Sequence, residues 1–289
     1  MKQLFIVTLA LLLAQPAFAQ ESAAPDGAST ARWQSAKIDG HRTGVTAPTQ
    51  DNVREALGSV EKGVYTAPNG RRFKKGATPA VAALMIEAQA PMAPVKETIG
   101  YAPKEMRRYG PQCELSNWFT DFLRAKTAEL TGKPVDVAIY NSGGIRTDMP
   151  QGDITVDDIM SMFPFRNSLC YVALKGADLR AIFQQLASTR LQPFSGAKMT
   201  VRDGKIESLT VGGAPIDDKK VYGVTTINFL LTGGDGLFIA RNALELIDSG
   251  VMVKDAVIPY IKSLTLAGKA VEGALDDRIV VLDPEKKEE

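Results

Sequence analysis

Six consecutive residues, Asn141-Ser142-Gly143-Gly144-Ile145-Arg146, carry the first chemistry legible in the chain. Arg146 presents a planar fork of N–H donors that matches the oxygens of a phosphate or a carboxylate. Gly143 and Gly144 lack a Cβ, so the backbone ahead of the arginine is free to take positive φ and lie close to a ligand. The same stretch also reads as a tight strand-to-loop turn with a surface arginine. Further on, Met162-Phe163-Pro164-Phe165-Arg166-Asn167 holds two rings around a proline that fixes the local backbone. Rings so placed serve either as core or as a stacking wall. Phe229 precedes a second glycine turn, Thr232-Gly233-Gly234-Asp235-Gly236. An aspartate in such a turn satisfies nearby backbone amides, or it accepts two hydrogen bonds from a diol such as ribose, as an acidic residue does in dinucleotide-binding folds.

Other reactive side chains offer less. The only histidine is His41, in Asp39-Gly40-His41, which spells the D-x-H of binuclear metallophosphatases. Two metals need several more His, Asp and Asn ligands, and a chain with one histidine cannot supply that set. A Ser-His-Asp or Cys-His arrangement finds little support for the same reason. Neither G-x-x-x-x-G-K-[ST] nor G-x-G-x-x-G occurs. Cys113 and Cys170 are the only cysteines, and both a disulfide and two buried thiols remain open. Lys and Arg number 34 against 33 Asp and Glu, with no basic stripe, so bulk attraction to nucleic acid or to a membrane surface is not supported.

The elements that must position these residues follow from periodicity and punctuation. Lys2, an apolar run from Leu4 to Leu13, and Ala17-Phe18-Ala19 read as a secretory signal at residues 1–19, too short to be a good membrane span. Residues 20–94 read as a disordered leader and an N-terminal extension. Within the extension, Asn69-Gly70 marks a hairpin, and Thr78 to Gln89 a helix with Val81, Leu84, Met85 and Ala88 on one face. A strand is expected over 95–101, a strong helix from Glu114 to Leu130, and a buried strand over 135–140 that feeds the first glycine turn. Asp153 to Met162 reads as a short helix, for which Thr155 followed by Asp158 resembles a capping box. Strands are expected at 168–174, 198–202, 206–211, 221–230 and 279–282, with Asp203-Gly204 as a hairpin turn and helices at 176–187 and 254–264, the second limited by Pro259 in how far it extends as one piece. Alternating strands and helices that give way to hairpins predict an α/β or α+β domain, a mixed β-sheet packed with helices, over 95–283, followed by a charged tail at 284–289.

Taken in order, N-x-G-G-I-R (Asn141 to Arg146), P-F-x-N (Pro164 to Asn167), G-x-x-L (Gly176 to Leu179) and N-F-L-x-x-G-G-D-G (Asn228 to Gly236) resemble the C-terminal, substrate-specificity domain of the 5′-nucleotidase family. That family also includes UDP-sugar hydrolases and 2′,3′-cyclic phosphodiesterases. Leu115-Ser116-Asn117 with Asp121 resembles the family's L-G-N-x-x-x-D helix, and Ser195-Gly196 matches ahead of the hairpin. The resemblance implies that Phe165 and Phe229 sandwich a nucleobase, that Asp235 holds the ribose hydroxyls, that Arg146 meets the phosphate, and that Asn141 contacts base or sugar while Gly143 and Gly144 keep the backbone low. Two departures stand out. Tyr109 and Gln112 fall where family members carry an arginine and a glutamate, with Arg107 and Arg108 out of register, and Ser116 replaces a glycine. In the family, catalysis belongs to an N-terminal metallophosphatase domain with two metals, and residues 20–94 lack those ligands. The expectation is therefore a secreted, periplasmic nucleotide- or nucleoside-binding domain. It would assign no catalytic residue and no cofactor to this chain, and would act in nucleotide breakdown with a separately encoded metallophosphatase that brings the divalent metals. The alternative is a free-standing periplasmic nucleoside- or nucleotide-binding protein without catalysis.

Overall fold

Why the chain buries what it does is clearest at one strand. Ser168–Lys175 is buried at every position but its last, the pattern of a strand covered on both faces. It is the hub of a computed structural model that describes Pro48 and residues 51–283, all within one compact unit. The leader, the cleavage site after Ala19, His41 and the tail at 284–289 lie outside the described residues.

The chain opens with α1 (Val53–Leu57) and a three-stranded antiparallel sheet of β1 (Ser59–Glu61), β2 (Val64–Thr66) and β3 (Arg72–Phe73). The hairpin expected at Asn69-Gly70 joins β2 to β3. Next come α2 (Thr78–Glu87), α3 (Gln89–Met92) and β4 (Thr98–Ala102). The apolar face read for α2 is largely open, with Val81, Leu84 and Met85 all exposed. The short β1–β2 ladder and the one-turn helices α1 and α3 stand beside this helix, too small a surface to cover a full apolar stripe.

From here the expected elements appear in their expected order, with four further strands, Gly152–Thr155, Phe194–Ser195, Ala214–Pro215 and Glu245–Met252, between them. α4 (Glu114–Thr131) buries Leu115, Trp118, Phe119, Phe122 and Leu123, and Gly132 ends it in the left-handed conformation at φ 67°. Its start is closed by a Cys113–Ser116 capping box in which each residue's backbone N–H meets the other's side chain. Ser116, the departure from the family's glycine, thus has a local task, the kind of cap that stabilises a helix by about 1 kcal/mol. Cys113 and Cys170 are both buried free thiols, which resolves the choice left open above. Burial pushes the Cys170 thiol up to about 12, so it stays protonated.

β5 (Val137–Ile139), β6 (Gly152–Thr155) and α5 (Val156–Met162) follow, the last with the Thr155–Asp158 capping box. Then come β7, the Ser168–Lys175 strand, and α6 (Gly176–Ser188). β8 (Phe194–Ser195), β9 (Ala197–Arg202), β10 (Lys205–Val211) and β11 (Ala214–Pro215) lead to β12 (Val221–Ile227). The β9–β10 turn has positive φ at both Asp203 and Gly204, as a two-residue hairpin with the right twist requires. β13 (Glu245–Met252), α7 (Val253–Leu266) and β14 (Ile279–Val281) complete the fold. The central five-stranded sheet runs β13-β7-β12-β5-β8, and a four-stranded sheet runs β11-β10-β9-β14. β12 and β5 are parallel and β7 is antiparallel to β12, so the sheet is mixed.

Beyond starts that shift by two or three residues, β4 at Thr98 instead of 95 and α5 at Val156 instead of Asp153 because Gly152–Thr155 pairs with β4, three elements differ from expectation. β12 ends at Ile227, not Leu230: Ile227 pairs with Leu169 near the start of β7, and beyond it the chain turns into a 3₁₀ segment, Asn228–Leu230. β13 has no counterpart among the expected strands. It is an edge strand whose Leu246 and Asp248 face outward, and its pairing with β7 shifts register between Asp248 and Met252. α7 runs through Pro259, because Pro259 and Asp255 lie on the exposed side, where solvent can take the carbonyl left without a donor.

The family-like helix motif proves structural. Asn117 Nδ2 donates to Ala274 O at 2.8 Å. Buried Arg278 donates to both Asp121 oxygens, both Asp276 oxygens and the Phe194 carbonyl. These contacts stitch α4 to the segment that enters β14.

Candidate functional site

Because β5 and β12 are parallel, their carboxyl ends lie at the same end of the sheet, and the start of antiparallel β7 lies there too. Three loops therefore meet: Asn141–Arg146 after β5, Phe163–Asn167 before β7, and Asn228–Gly236 after β12. The crevice beyond the carboxyl ends of parallel strands is where open α/β sheets hold ligands. Hydrogen bonds tie the loops together. Arg146 N donates to Met162 O at 2.9 Å, and Ser168 N donates to Asn228 Oδ1 at 3.3 Å. Asn141 Nδ2 donates to Asp235 Oδ2 at 2.8 Å, which joins the two glycine turns directly.

The rings separate cleanly. Phe163 is 1 % exposed and stacks on Phe119, with centroids 4.5 Å apart, so it belongs to the core. Phe165 and Phe229 are 44 % and 45 % exposed. The Arg146 guanidinium lies 5.7 Å from the Phe165 ring centroid, and its Nη1 donates to Gly143 O at 3.2 Å. Phe229 lies over Gly234, where a Cβ would come within 2.6 Å of the ring. Asp235 is exposed in the left-handed region at φ 49°, between Gly234 and Gly236.

The first turn is built differently from its sequence reading. Ser142–Gly144 forms a 3₁₀ turn, and neither glycine has positive φ. Gly144 is required by crowding instead: a Cβ there would sit 2.5 Å from Tyr140 Oη and 2.7 Å from Asn141 Oδ1. Gly143 meets nothing nearer than 3.8 Å. Burial pushes the Tyr140 phenol up, so it remains a neutral part of this packing.

Sequence reasoning missed two glutamines that hold the turns. Gln192, buried, accepts from Ser142 N at 2.8 Å and Ser142 Oγ at 3.1 Å, and Gln185 Nε2 donates to Gly236 O at 2.8 Å. Both contacts span about 50 residues, and no local pattern marks them. A cavity of about 580 Å³ opens beside the first turn, lined by Arg108, Tyr109, Ser142, Gly143, Arg190 and Leu191 among others. Phe165, Phe229 and Asp235 lie outside it, so the aromatic residues face open surface. Of the out-of-register arginines, Arg107 pairs with Glu105, whereas Arg108 donates to Ile145 O at 3.3 Å and lines the cavity. Gln112 accepts from Ile279 N at 2.8 Å, a structural contact to β14. Among the described residues, no cluster of three or more His, Cys, Asp or Glu is placed to hold a metal ion.

The family described as 5′-nucleotidase, C-terminal domain, matches residues 93–242, just over half of the chain. The chain belongs to that family. Protein UshA of Escherichia coli (strain K12) is 29 % identical over 140 residues, covering 47 % of this chain and 26 % of UshA. Cell wall protein Lmo0130 of Listeria monocytogenes is 34 % identical over 215 residues, 64 % of this chain and 27 % of that protein. Among solved structures, a 5′-nucleotidase precursor from Thermus thermophilus aligns with TM-score 0.62 and 26 % identity, over 75 % of this chain and 45 % of its own. The chain thus spans about a quarter of the length of these curated relatives. The α/β fold expected from the motifs is that of the family.

Proposed function

We propose that this chain is the nucleotide- or nucleoside-binding specificity domain of a 5′-nucleotidase-type hydrolase, exported to the periplasm and acting with a separately encoded metallophosphatase. The observation that carries this reading is the convergence of three loops at one end of the sheet, which leaves Phe165 and Phe229 half exposed beside Arg146 and the Asn141–Asp235 pair. Exposed rings in a rigid frame suit base stacking, which tolerates different bases. Arg146, held by Gly143 O and the Phe165 ring, is the residue that donates hydrogen bonds to the phosphate. With those contacts made, the chain's task is positioning: a held phosphoester is presented to a reacting centre with its orientation already fixed. The metals of the family's chemistry belong to the partner. Export is supported by the signal-like residues 1–19, and no helix among the described residues is long and apolar enough to cross a membrane.

The test is to mix the purified chain with a candidate metallophosphatase, one carrying D-x-H and G-N-H-[DE] motifs, and to measure AMP hydrolysis. A lowered KM or raised rate is expected. An unchanged rate and KM would remove the partner role, and persistent AMP binding in that case would favour the free-standing binding protein.

A further inference from the structure

Two features near the start of the described chain belong to neither the nucleoside loops nor the central sheet. The first is apolar. α2 carries seven consecutive apolar residues, Ala80 to Ile86, a run that a globular fold normally buries. Yet Val81, Leu84 and Met85, which share one helix face, are 55 %, 66 % and 49 % exposed. Beside them opens a groove of about 400 Å³, lined by Leu57, Tyr65, Val81 and Met85 among others. The second feature is charge. No acidic residue stands between Glu61 and Glu87, whereas Lys62, Arg71, Arg72, Lys74 and Lys75 all do. All five are exposed, and none joins an ion pair among the described residues. Three of them adjoin the groove. Arg71 lies 5.5 Å from the Phe73 ring centroid, Phe73 stacks on Tyr65 at 5.8 Å, and Tyr65 lines the groove. Lys74 and Lys75 fall in the short link from Phe73 to Ala77, which lines it too.

We propose that this face docks on an anionic membrane surface, with Val81, Leu84 and Met85 entering the lipid interface and the neighbouring cations meeting headgroup phosphates. An apolar helix face edged by Lys and Arg is how a helix lies in an interface without crossing it. Charge complementarity selects this occupant: cations near an anionic surface are attracted over a distance that salt shortens. A protein partner fits less well, because lysine is depleted at protein–protein interfaces. The near-zero charge of the whole chain conceals this local run of cations. The face shares no residue with the nucleoside loops, so the two proposals stand or fall separately.

The experiment is co-sedimentation of the purified chain from Gln20, which keeps the whole compact unit from Pro48 and omits the apolar run Leu4 to Leu13. It is mixed with vesicles of phosphatidylcholine alone and of equimolar phosphatidylcholine and phosphatidylglycerol, at low and high salt. Wild type is expected to sediment with the anionic vesicles and not the neutral ones, and to bind more weakly at high salt. Each cation near such a surface is worth about fivefold in partitioning, so Lys74→Gln combined with Lys75→Gln should weaken binding about tenfold or more. Leu84→Gln combined with Met85→Gln should also lose about tenfold or more, because these side chains leave water in the bound state. Thermal melts should match wild type, since all four positions are exposed. Should either pair melt early, Lys75→Gln or Leu84→Gln alone decides. Wild type that ignores anionic vesicles overturns the proposal. So does a Leu84→Gln, Met85→Gln variant that binds them like wild type, which would mean charge attraction alone. Self-association of wild type in ultracentrifugation, without vesicle binding and abolished in that variant, overturns it in favour of a second copy on this face.

Discussion

Phe165→Ala and Phe229→Ala are each expected to weaken nucleoside binding by about five- to 150-fold while leaving the fold intact. Stacking of a base on an aromatic ring is worth roughly 1–3 kcal/mol by alanine substitution, which converts to that range. The fold has little at stake in either ring, because both are nearly half exposed. Phe163, two residues away, makes the contrast. It is buried against Phe119, and truncating a core phenylalanine costs about 3–5 kcal/mol through lost burial and the cavity left behind. Calorimetry together with thermal melts on the three variants separates the roles. Phe165→Ala and Phe229→Ala should lose affinity at unchanged melting temperature, and Phe163→Ala should melt far earlier. Unchanged affinity in both exposed-ring variants would dismiss the clamp.

Arg278→Met is expected to be the most damaging change outside the aromatic core, costing about 2–4 kcal/mol of stability. The guanidinium is 7 % exposed and meets Asp121, Asp276 and the Phe194 carbonyl. Its removal leaves the Phe194 carbonyl with only the longer 3.4 Å bond from Thr120 Oγ1. The loss stays at the lower end for a broken buried pair because both carboxylates are about half exposed and water can reach them. Burial acts to lower the Arg278 pKa, but the hydrogen bonds it donates to Asp276 and Asp121 outweigh it, and the net shift is upward. The hydrogen bond from Arg278 holds the Asp276 carboxyl below its usual range, against a smaller opposing effect of burial. A carboxyl whose folded pKa is depressed contributes stability that is present above the ordinary carboxylate pKa of about 4 and is lost as pH falls through the folded value. Wild type should therefore lose stability on that acid limb, and Arg278→Met should lose less across the same interval. Urea melts at a series of pH values measure both, and parallel acid limbs in the two proteins would contradict the assignment.

Much of the frame is readable because it is local. The α4 stripe, the Thr155–Asp158 cap and the Asp203-Gly204 turn are short-range patterns with short-range physics, and each has its element. β13 escapes because an edge strand with outward Leu246 and a register shift between Asp248 and Met252 has neither a buried run nor clean alternation. α2 misleads in the opposite way, since apolar spacing alone does not say whether a partner surface exists to cover it. At the site, residue types point to Arg146, Phe165, Phe229 and Asp235, whereas their supports do not announce themselves. Gln185, Gln192 and the Asn141–Asp235 bond act between segments tens of residues apart, and only the fold brings them together. The glycines of the first turn suggest the wrong reason: Gly144 is small because Tyr140 and Asn141 fill the space, not because φ is positive.

One titration reaches the central claim directly: AMP into the purified full chain, followed by calorimetry, with adenosine and UDP-glucose in parallel. Saturable heat with one AMP per chain, weakened in Arg146→Ala more for AMP than for adenosine, is the predicted result, since only AMP carries the phosphate that Arg146 meets. The absence of heat with all three compounds would contradict the assignment of these loops to a nucleotide.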